Sequence, residues 1–274
     1  MSSPPLDRLR ARVARLGVPL CLGIDPHPDQ LPEELTRDLR GVETFARGIV
    51  EAVAQHTVAI KINVAFFEAF GSAGWAVLER LRGDVPADHF LVLDAKRGDM
   101  GSTAERYAAA LFGHLAADAV TLSPYLGADA IEPFLAYPNR VVYVLGRTSN
   151  PSAATLQDLP VVDDLLYQRV ADWVASHWPE PRVGLVVGAT APEELRALRL
   201  RLPEPAFLVP GVGAQGGDLR SAVECCDGRR APGLVSISRG ITGASRGADW
   251  RSAAAESARV LAARMTELGA TLRT

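Results

Sequence analysis

The chain has 274 residues, 48% hydrophobic and 22% charged, so it is long and apolar enough to bury a large core. Its net charge of -3 argues against a surface that binds nucleic acid or an anionic membrane. No secretory leader and no apolar window near the roughly 20 residues that span a bilayer is visible. The three cysteines suit neither a disulfide framework nor a zinc motif, so we expect a cytoplasmic protein with no membrane contact.

Short apolar runs recur along the chain, and a segment of helical period follows most of them. Each run is almost continuously apolar, as expected for parallel strands that are covered on both faces. The runs occupy residues 19–25, 58–63, 90–96, 119–125, 140–147, 182–190, 206–213 and 234–240.

Amphipathic segments between these runs predict helices. One of them opens at Ser102 or Thr103, whose hydroxyl is suited to an N-cap. The longest irregular stretch, 148–164, is interpreted as a lid or flexible loop. The predicted helices cover residues 45–56, 102–116, 165–178, 191–202 and 248–268.

Strand and helix alternating about eight times predicts a (β/α)8 barrel, with an open doubly wound sheet as the less favoured alternative. Polar residues follow nearly every run, as on the carboxyl-terminal rim of a barrel, whereas an open sheet concentrates them between two strands. We predict one barrel domain over residues 1–274, with an N-terminal helix and a long C-terminal helix. The polar rim residues are Asp25, Lys61, Asn63, Asp94, Lys96, Ser123, Arg147, Thr190, Gln215 and Arg239.

The end of the third run places a lysine between two aspartates. Alternation along a strand would put Asp94 and Lys96 on one side, about 7 Å apart. Lys61 and Asp25 can approach from the two preceding strands. A structural ion pair would explain any one of these lysines, but four charged residues on one rim favour a site, where opposite charges keep each group ionised.

A second constellation follows the seventh and eighth runs. The stretch PGVGAQGGD, residues 210–218, is rich in glycine and precedes a predicted helix beginning near Asp218. Barrels commonly bind phosphate here through backbone N–H groups, and Arg239 can grip the phosphate oxygens while Gln215 closes over them. A loop that needs glycine for positive φ is the alternative explanation. Arg239 beside the loop favours phosphate.

Metal and nucleophile motifs are missing from the sequence. We find no Asp/Glu/His trio typical of a metal site, no G-x-S-x-G and no Walker loop, so we expect no metal. His27 lies on the predicted rim and is a minor candidate for substrate contact. Cys21 is expected to be a small buried hydrophobe.

Several stretches together resemble the orotidine 5′-phosphate decarboxylase family. LDAKRGDMGSTA, GID and IKIN carry the resemblance, and SPYLG, GRTSNP and PGVGAQGGD are similar to its longer bacterial subgroup. The similarity runs from about residue 18 to 245. It implies a lyase that converts orotidine 5′-monophosphate to uridine 5′-monophosphate and carbon dioxide, with no cofactor and no metal.

The resemblance also implies roles for residues of the charged rim. Asp25 and Lys61 would contact the ribose hydroxyls of the nucleotide. Asp94 would face the substrate carboxylate, and Lys96 would protonate C6 of the pyrimidine ring. Asp99 would help to hold Lys96 charged and oriented.

Further roles follow from the same resemblance. Asp99 and Thr103 would reach into the site of the neighbouring subunit, which implies a homodimer. Ser149 would read the pyrimidine edge, while Gln215 and Arg239 would bind the phosphate.

Two other functions remain open. A Mg²⁺-dependent lyase or synthase of the same barrel superfamily, acting on a sugar phosphate, would carry an acidic residue where this chain has Lys61. A catalytically silent barrel that only binds nucleotides would have no reason to keep Lys96 between two carboxylates. Two departures from the family pattern are Ser123, where an asparagine often precedes PYLG, and Gly146, where a bulkier residue is common.

Overall fold

A computed structural model describes residues 3–213 and 215–272. Eight parallel strands close into a barrel in sequential order, with β1 hydrogen-bonded to both β2 and β8. The predicted (β/α)8 barrel is thereby confirmed. The strands are β1 Leu20–Ile24, β2 Ala59–Asn63, β3 Phe90–Arg97, β4 Ala119–Leu122, β5 Val141–Arg147, β6 Val183–Val187, β7 Phe207–Pro210 and β8 Leu234–Ile237.

Helices cover the outside of the barrel and its amino-terminal end. The first and last of them, α1 and α12, are the predicted N-terminal and C-terminal helices, and a single domain over the whole chain stays a prediction. The helices are α1 Pro5–Leu16, α2 Leu39–Val53, α3 Ala65–Glu68, α4 Gly71–Asp84, α5 Gly101–Ala108, α6 Glu132–Leu135, α7 Ala153–Gln157, α8 Leu166–His177, α9 Pro192–Arg201, α10 Leu219–Cys226, α11 Arg239–Thr242 and α12 Trp250–Leu272.

The strands bury side chains on both faces, which explains their continuous apolar runs. One set, including Leu22 and Ile62, packs outward against the helices. The alternate set, including Cys21 and Ala59, fills the barrel interior, where Leu9 of α1 packs against it. Burial raises the pKa of the Cys21 thiol to about 12, so Cys21 is the inert small hydrophobe that was expected.

The interior changes from apolar to charged along the strands. Gly23 pairs with Lys61, and Asn63 pairs with Asp94. Both pairs lie nearer the carboxyl ends of their strands than the apolar interior residues do. Strand alternation therefore places the side chains of Lys61 and Asp94 inside the barrel, at its carboxyl-terminal end.

Two predicted boundaries were wrong for local reasons. Helix α5 begins at Gly101 and its N-cap residue is Met100, with no side-chain cap, so neither Ser102 nor Thr103 is the N-cap. Helix α2 begins at Leu39, before the predicted start, because the Asp38 carboxylate accepts hydrogen bonds from the first free N–H groups of the helix.

The stretch 148–164 is also more regular than predicted. It contains α7 and the first strand of a small antiparallel hairpin, in which Pro160–Val161 pairs with Asp164–Leu165. The turn residue Val162 has a φ of 58° and is 90% exposed. Across the described ranges, no helix is both long and apolar enough to cross a bilayer.

Candidate active site

A cavity of about 700 Å³ opens at the carboxyl ends of the barrel strands. Asp99 and Thr103 are not among its lining residues. The other predicted site residues all line it, so the structure brings together residues from six strands or the loops that follow them. They are Asp25, Lys61, Asp94, Lys96, Ser149, Gln215 and Arg239.

Asp94 lies between two ammonium groups. Its Oδ2 is 3.0 Å from Lys61 Nζ, and its Oδ1 is 2.6 Å from Lys96 Nζ. Lys61 Nζ also lies 3.9 Å from Asp25 Oδ1. The four charges therefore form one continuous row across the cavity floor, as the sequence predicted, in the order Asp25, Lys61, Asp94, Lys96.

The members of this row differ in exposure. The side chains of Lys61 and Asp94 are 7% and 11% exposed, whereas that of Lys96 is 49% exposed. Burial alone would raise the pKa of Asp94, but Lys61 and Lys96 outweigh it and hold that pKa far below its usual range. Burial alone would lower the pKa of Lys61, but Asp94 and then Asp25 outweigh it and raise that pKa. Lys61 and Asp94 are therefore charged throughout the neutral range.

Lys96 reaches the cavity from an irregular strand end. The pairing of β3 with β4 shifts register between Leu93 and Arg97, and Lys96 has a φ of 46°. Asp94 and Lys96 both line the cavity, as predicted. The predicted cause, regular alternation along the strand, was wrong. Because a positive φ is unusual for a residue with a side chain, surrounding contacts must hold Lys96 in place.

Thr121 of β4 supplies such contacts. Its hydroxyl donates to Asp94 Oδ1 at 2.8 Å and accepts from the backbone N–H of Lys96 at 3.0 Å. Thr121 lines the cavity and is only 1% exposed. Sequence reasoning missed it, although it is a hydroxyl residue inside the fourth apolar run and its parity matches that of the inward-facing Ala119.

The loop after β5 presents Ser149 to the cavity and is held by Gln157 of α7. Gln157 Oε1 accepts from the backbone N–H of Thr148 at 2.9 Å, and its Nε2 donates to Thr148 Oγ1 at 2.6 Å. Arg147, predicted as a rim residue, does not line the cavity; it is buried and donates to Gln157 and Asp158. Gln157 lines the cavity and was also missed, because the sequence does not show which loop side chain turns back.

Of three other residues predicted on the rim, two lie outside the cavity lining and one belongs to it. Thr190 lies behind Ser149, to whose carbonyl oxygen its hydroxyl donates at 3.4 Å, and Ser123 packs beside Gly98. Neither of them lines the cavity. His27 does line it, with its ring edge-on to Phe66 at 4.6 Å between ring centroids.

The glycine-rich loop after β7 also lines the cavity, through Gly211 and Gln215. Gly211, Gly213 and Gly216 all have positive φ, of 97°, 78° and 85°. The loop leads into α10, which begins near Asp218 as predicted, and the side chain of this N-cap residue accepts from the N–H of Ser221. The guanidinium of Arg239 is exposed and has no ion pair or hydrogen bond within the described residues, so it is free to bind an anion.

These features define a class of protein. A buried lysine–aspartate row and a glycine-rich loop beside an arginine, at the carboxyl ends of barrel strands, are typical of (β/α)8-barrel enzymes that act on phosphorylated substrates.

Comparison with known proteins identifies the family within this class. Residues 18–255 match the family described as orotidine 5′-phosphate decarboxylase / HUMPS. The orotidine 5′-phosphate decarboxylase of Roseiflexus castenholzii is 49% identical over 245 residues, which cover 88% of this chain and 90% of that protein. The solved structure of Leishmania donovani OMP decarboxylase superposes with a TM-score of 0.81 at 38% identity, covering 96% of this chain and 99% of that chain. The chain belongs to the orotidine 5′-phosphate decarboxylase family.

The row of charges predicts strong energetic coupling between Lys61 and Asp94. Either Lys61→Met or Asp94→Asn should lower the free energy of unfolding, because each leaves a buried charge with fewer partners. The double variant should be more stable than the sum of the two losses by about 1–3 kcal/mol. Urea unfolding of the ligand-free protein measures all three variants.

An exposed ion pair provides the matched control. Arg259 and Glu256 lie 2.6 Å apart on the surface of α12, and replacing them with Met and Gln should show little coupling. If the losses at Lys61 and Asp94 simply add, the two groups do not form the buried pair described above.

Proposed function

We propose that this chain decarboxylates orotidine 5′-monophosphate to uridine 5′-monophosphate and carbon dioxide, a step of de novo pyrimidine biosynthesis. One observation carries the proposal beyond family membership. Lys96 places an ammonium, held at 2.6 Å by Asp94, in the same cavity as the anion-binding end with Arg239. The expected cytoplasmic location stays a prediction.

The chemistry requires such an ammonium. When the bond from C6 to the carboxylate breaks, carbon dioxide leaves and the electron pair remains on C6, where the ring delocalises it poorly. The charge of Lys96 stabilises this carbanion, and its N–H proton then forms the new C6–H bond. The neutral amine regains a proton from solvent, so the reaction needs no cofactor.

Asp94 has two roles in this mechanism. It keeps Lys96 oriented, and its carboxylate would face the carboxylate of the substrate. Two unit charges about 4 Å apart repel by roughly 4 kcal/mol at an effective dielectric near 20. This repulsion is relieved as carbon dioxide leaves, so it acts in the direction of the reaction.

The remaining lining residues would bind the parts of the substrate that do not react. Asp25 and Lys61 would contact the ribose hydroxyls; the buried Oδ1 of Asp25 lies 3.9 Å from Lys61 Nζ and accepts no hydrogen bond within the described chain. Ser149 would read the pyrimidine edge. Arg239 and Gln215 would bind the phosphate, whose binding energy can orient the reacting carbon.

The site disfavours a Mg²⁺-dependent sugar-phosphate enzyme. Lys61 Nζ lies 3.0 Å from Asp94 and 3.9 Å from Asp25, so both carboxylates already share a cation. A divalent ion placed between them would be repelled by the buried ammonium of Lys61.

Direct assay tests the proposed function. Purified protein should convert orotidine 5′-monophosphate to uridine 5′-monophosphate at the same rate with excess EDTA or with Mg²⁺, followed by the change in ultraviolet absorbance. Lys96→Ala, purified in parallel, controls for contaminating host enzyme and should be inactive.

Two outcomes of the assay would contradict the proposal. Loss of activity in EDTA with recovery on adding Mg²⁺ would favour the metal-dependent alternative. Binding of the product nucleotide without any turnover of the substrate would indicate a silent nucleotide-binding barrel.

We further propose a homodimer in which Asp99 and Thr103 serve the neighbouring site. Within the described chain Asp99 has no ion pair, and its Oδ1 accepts only the adjacent N–H of Met100, at 2.8 Å. Met100, the next residue along the chain, is 58% exposed, and Tyr125, in the loop after the neighbouring strand β4, is 81% exposed. Exposed apolar side chains on these loops, together with an unpaired charge, suit a contact with a second copy.

A mixed dimer tests this arrangement. Lys96→Ala and Asp99→Ala dimers should each be nearly inactive, because every site lacks one group. In a mixed dimer one site receives both defects and the other receives neither. Random re-association of equal amounts makes half the dimers mixed, so activity should recover to about a quarter of wild type for a two-fold dimer with shared sites.

Subunit exchange must be verified, for example with two tags of different mass. Each variant mixed with itself provides the control and should recover nothing. If subunits exchange and the mixture stays inactive, Asp99 acts within its own subunit.

A further inference from the structure

We infer that Thr121 is a positioning residue for the decarboxylation, and that it holds Asp94 and Lys96 in their reactive arrangement. The inference rests on the proposed function and adds a residue to it. None of the rim patterns in the sequence includes Thr121, which lies inside the fourth apolar run.

The contacts of Thr121 form a closed ring. The backbone N–H of Lys96 donates to Thr121 Oγ1 at 3.0 Å, and the Thr121 hydroxyl donates to Asp94 Oδ1 at 2.8 Å. The same Asp94 oxygen accepts from Lys96 Nζ at 2.6 Å. Thr121 therefore connects the backbone of Lys96 to the carboxylate that binds its side chain.

Burial leaves the hydroxyl little choice of partner. Thr121 is 1% exposed, and one lone pair of its oxygen is occupied by the Lys96 N–H. Its single proton is directed at Asp94, and because this acceptor is ionised, the hydrogen bond is of the stronger, charge-assisted kind.

Lys96 needs this support more than an ordinary residue would. Its φ of 46° lies in the left-handed region, and the register of β3 against β4 is interrupted between Leu93 and Arg97. The regular pairing of β3 with β4 is therefore interrupted at Lys96. Its backbone N–H donates to the Thr121 hydroxyl instead of to a backbone carbonyl of β4. Its removal would let Lys96 relax toward negative φ and move the ammonium away from C6.

Two substitutions separate the hydroxyl from the shape of the side chain. Thr121→Val keeps the shape and removes the hydroxyl, and Thr121→Ser keeps the hydroxyl and removes the methyl. We expect Thr121→Val to lower kcat by about 10- to 100-fold, the rate equivalent of one hydrogen bond to a charged group. KM and the Kd for uridine 5′-monophosphate should change little, because the Thr121 hydroxyl is already bonded to Lys96 and Asp94. Thr121→Ser should restore most of kcat.

A second readout reports proton transfer directly. In deuterated water, Lys96 should exchange the C6 proton of bound uridine 5′-monophosphate, as the reverse of its forward step requires. This exchange, followed by proton NMR, should slow in Thr121→Val by the same factor as kcat. A crystal structure of Thr121→Val should show Lys96 Nζ displaced from Asp94, a result that does not depend on the proposed function.

Thr57 provides the matched control. It is a fully buried threonine at the opposite end of the barrel, where its hydroxyl lies 3.4 Å from the carbonyl oxygen of Val53. Thr57→Val should leave kcat and the exchange rate unchanged.

The outcomes of these experiments distinguish the role of Thr121 from the proposed function. If Thr121→Val does not fold, Thr121→Ala is measured in its place with the same expectations. Unchanged kcat in the variant without the hydroxyl, or equal losses in the Val and Ser variants, would overturn the role of Thr121. Absence of turnover in the wild-type protein would instead overturn the proposed function, and the displaced Lys96 in the crystal structure would still test the ring of contacts.

Discussion

The carboxylate of Asp94, held between two ammonium groups, is the interaction on which the rest of the site depends. An ionised carboxylate that is 11% exposed would be costly without partners, and a lysine that is 7% exposed would be costlier still. Together with Asp25 and Lys96 they form a row in which each buried charge has an opposite neighbour. The protein can therefore keep a fixed ammonium and a fixed carboxylate in one cavity before any substrate arrives.

The barrel makes this arrangement possible by layering its interior. Cys21 and Ala59 lie in an apolar layer, and Lys61 follows Ala59 by two residues on the same face of β2. The charged layer thus rests on a packed floor that excludes water from below. Lysine and carboxylate interact more strongly in such surroundings than they would in bulk water.

Strand alternation and the repeated order of elements made the barrel predictable from the sequence. The residues at strand ends were predictable for the same reason, because parallel strands bring their carboxyl ends to one rim. Strand parity placed Thr121 inside the barrel, but its contact with Lys96 depends on a register shift, and the role of Gln157 depends on how a loop folds back. Neither a register shift nor the path of a loop is visible in the sequence pattern. The prediction of the α5 N-cap was wrong for a similar reason. The chain turns at Gly101, with a φ of 55°, and the helix therefore begins before Ser102 and Thr103.

The arrangement of Asp94 and Lys96 implies that binding and catalysis use different parts of the cavity. In the proposed function, Arg239 and Gln215 would hold the phosphate and Asp25 and Lys61 the ribose, while Asp94 and Lys96 would act on the carbon that loses carbon dioxide. A variant at Asp94 should then impair the chemical step without weakening the binding of the nucleotide.

The most direct measurement is the affinity of Asp94→Asn for substrate and product alongside its kcat. The account predicts that kcat falls by about 10³-fold or more, since the ammonium loses its orienting carboxylate. It also predicts that orotidine 5′-monophosphate binds at least as tightly as in the wild type, because the repulsion between carboxylates is removed, while the Kd for uridine 5′-monophosphate barely changes. Weaker binding of both nucleotides with kcat preserved would contradict the account, because Asp94 would then be a binding residue.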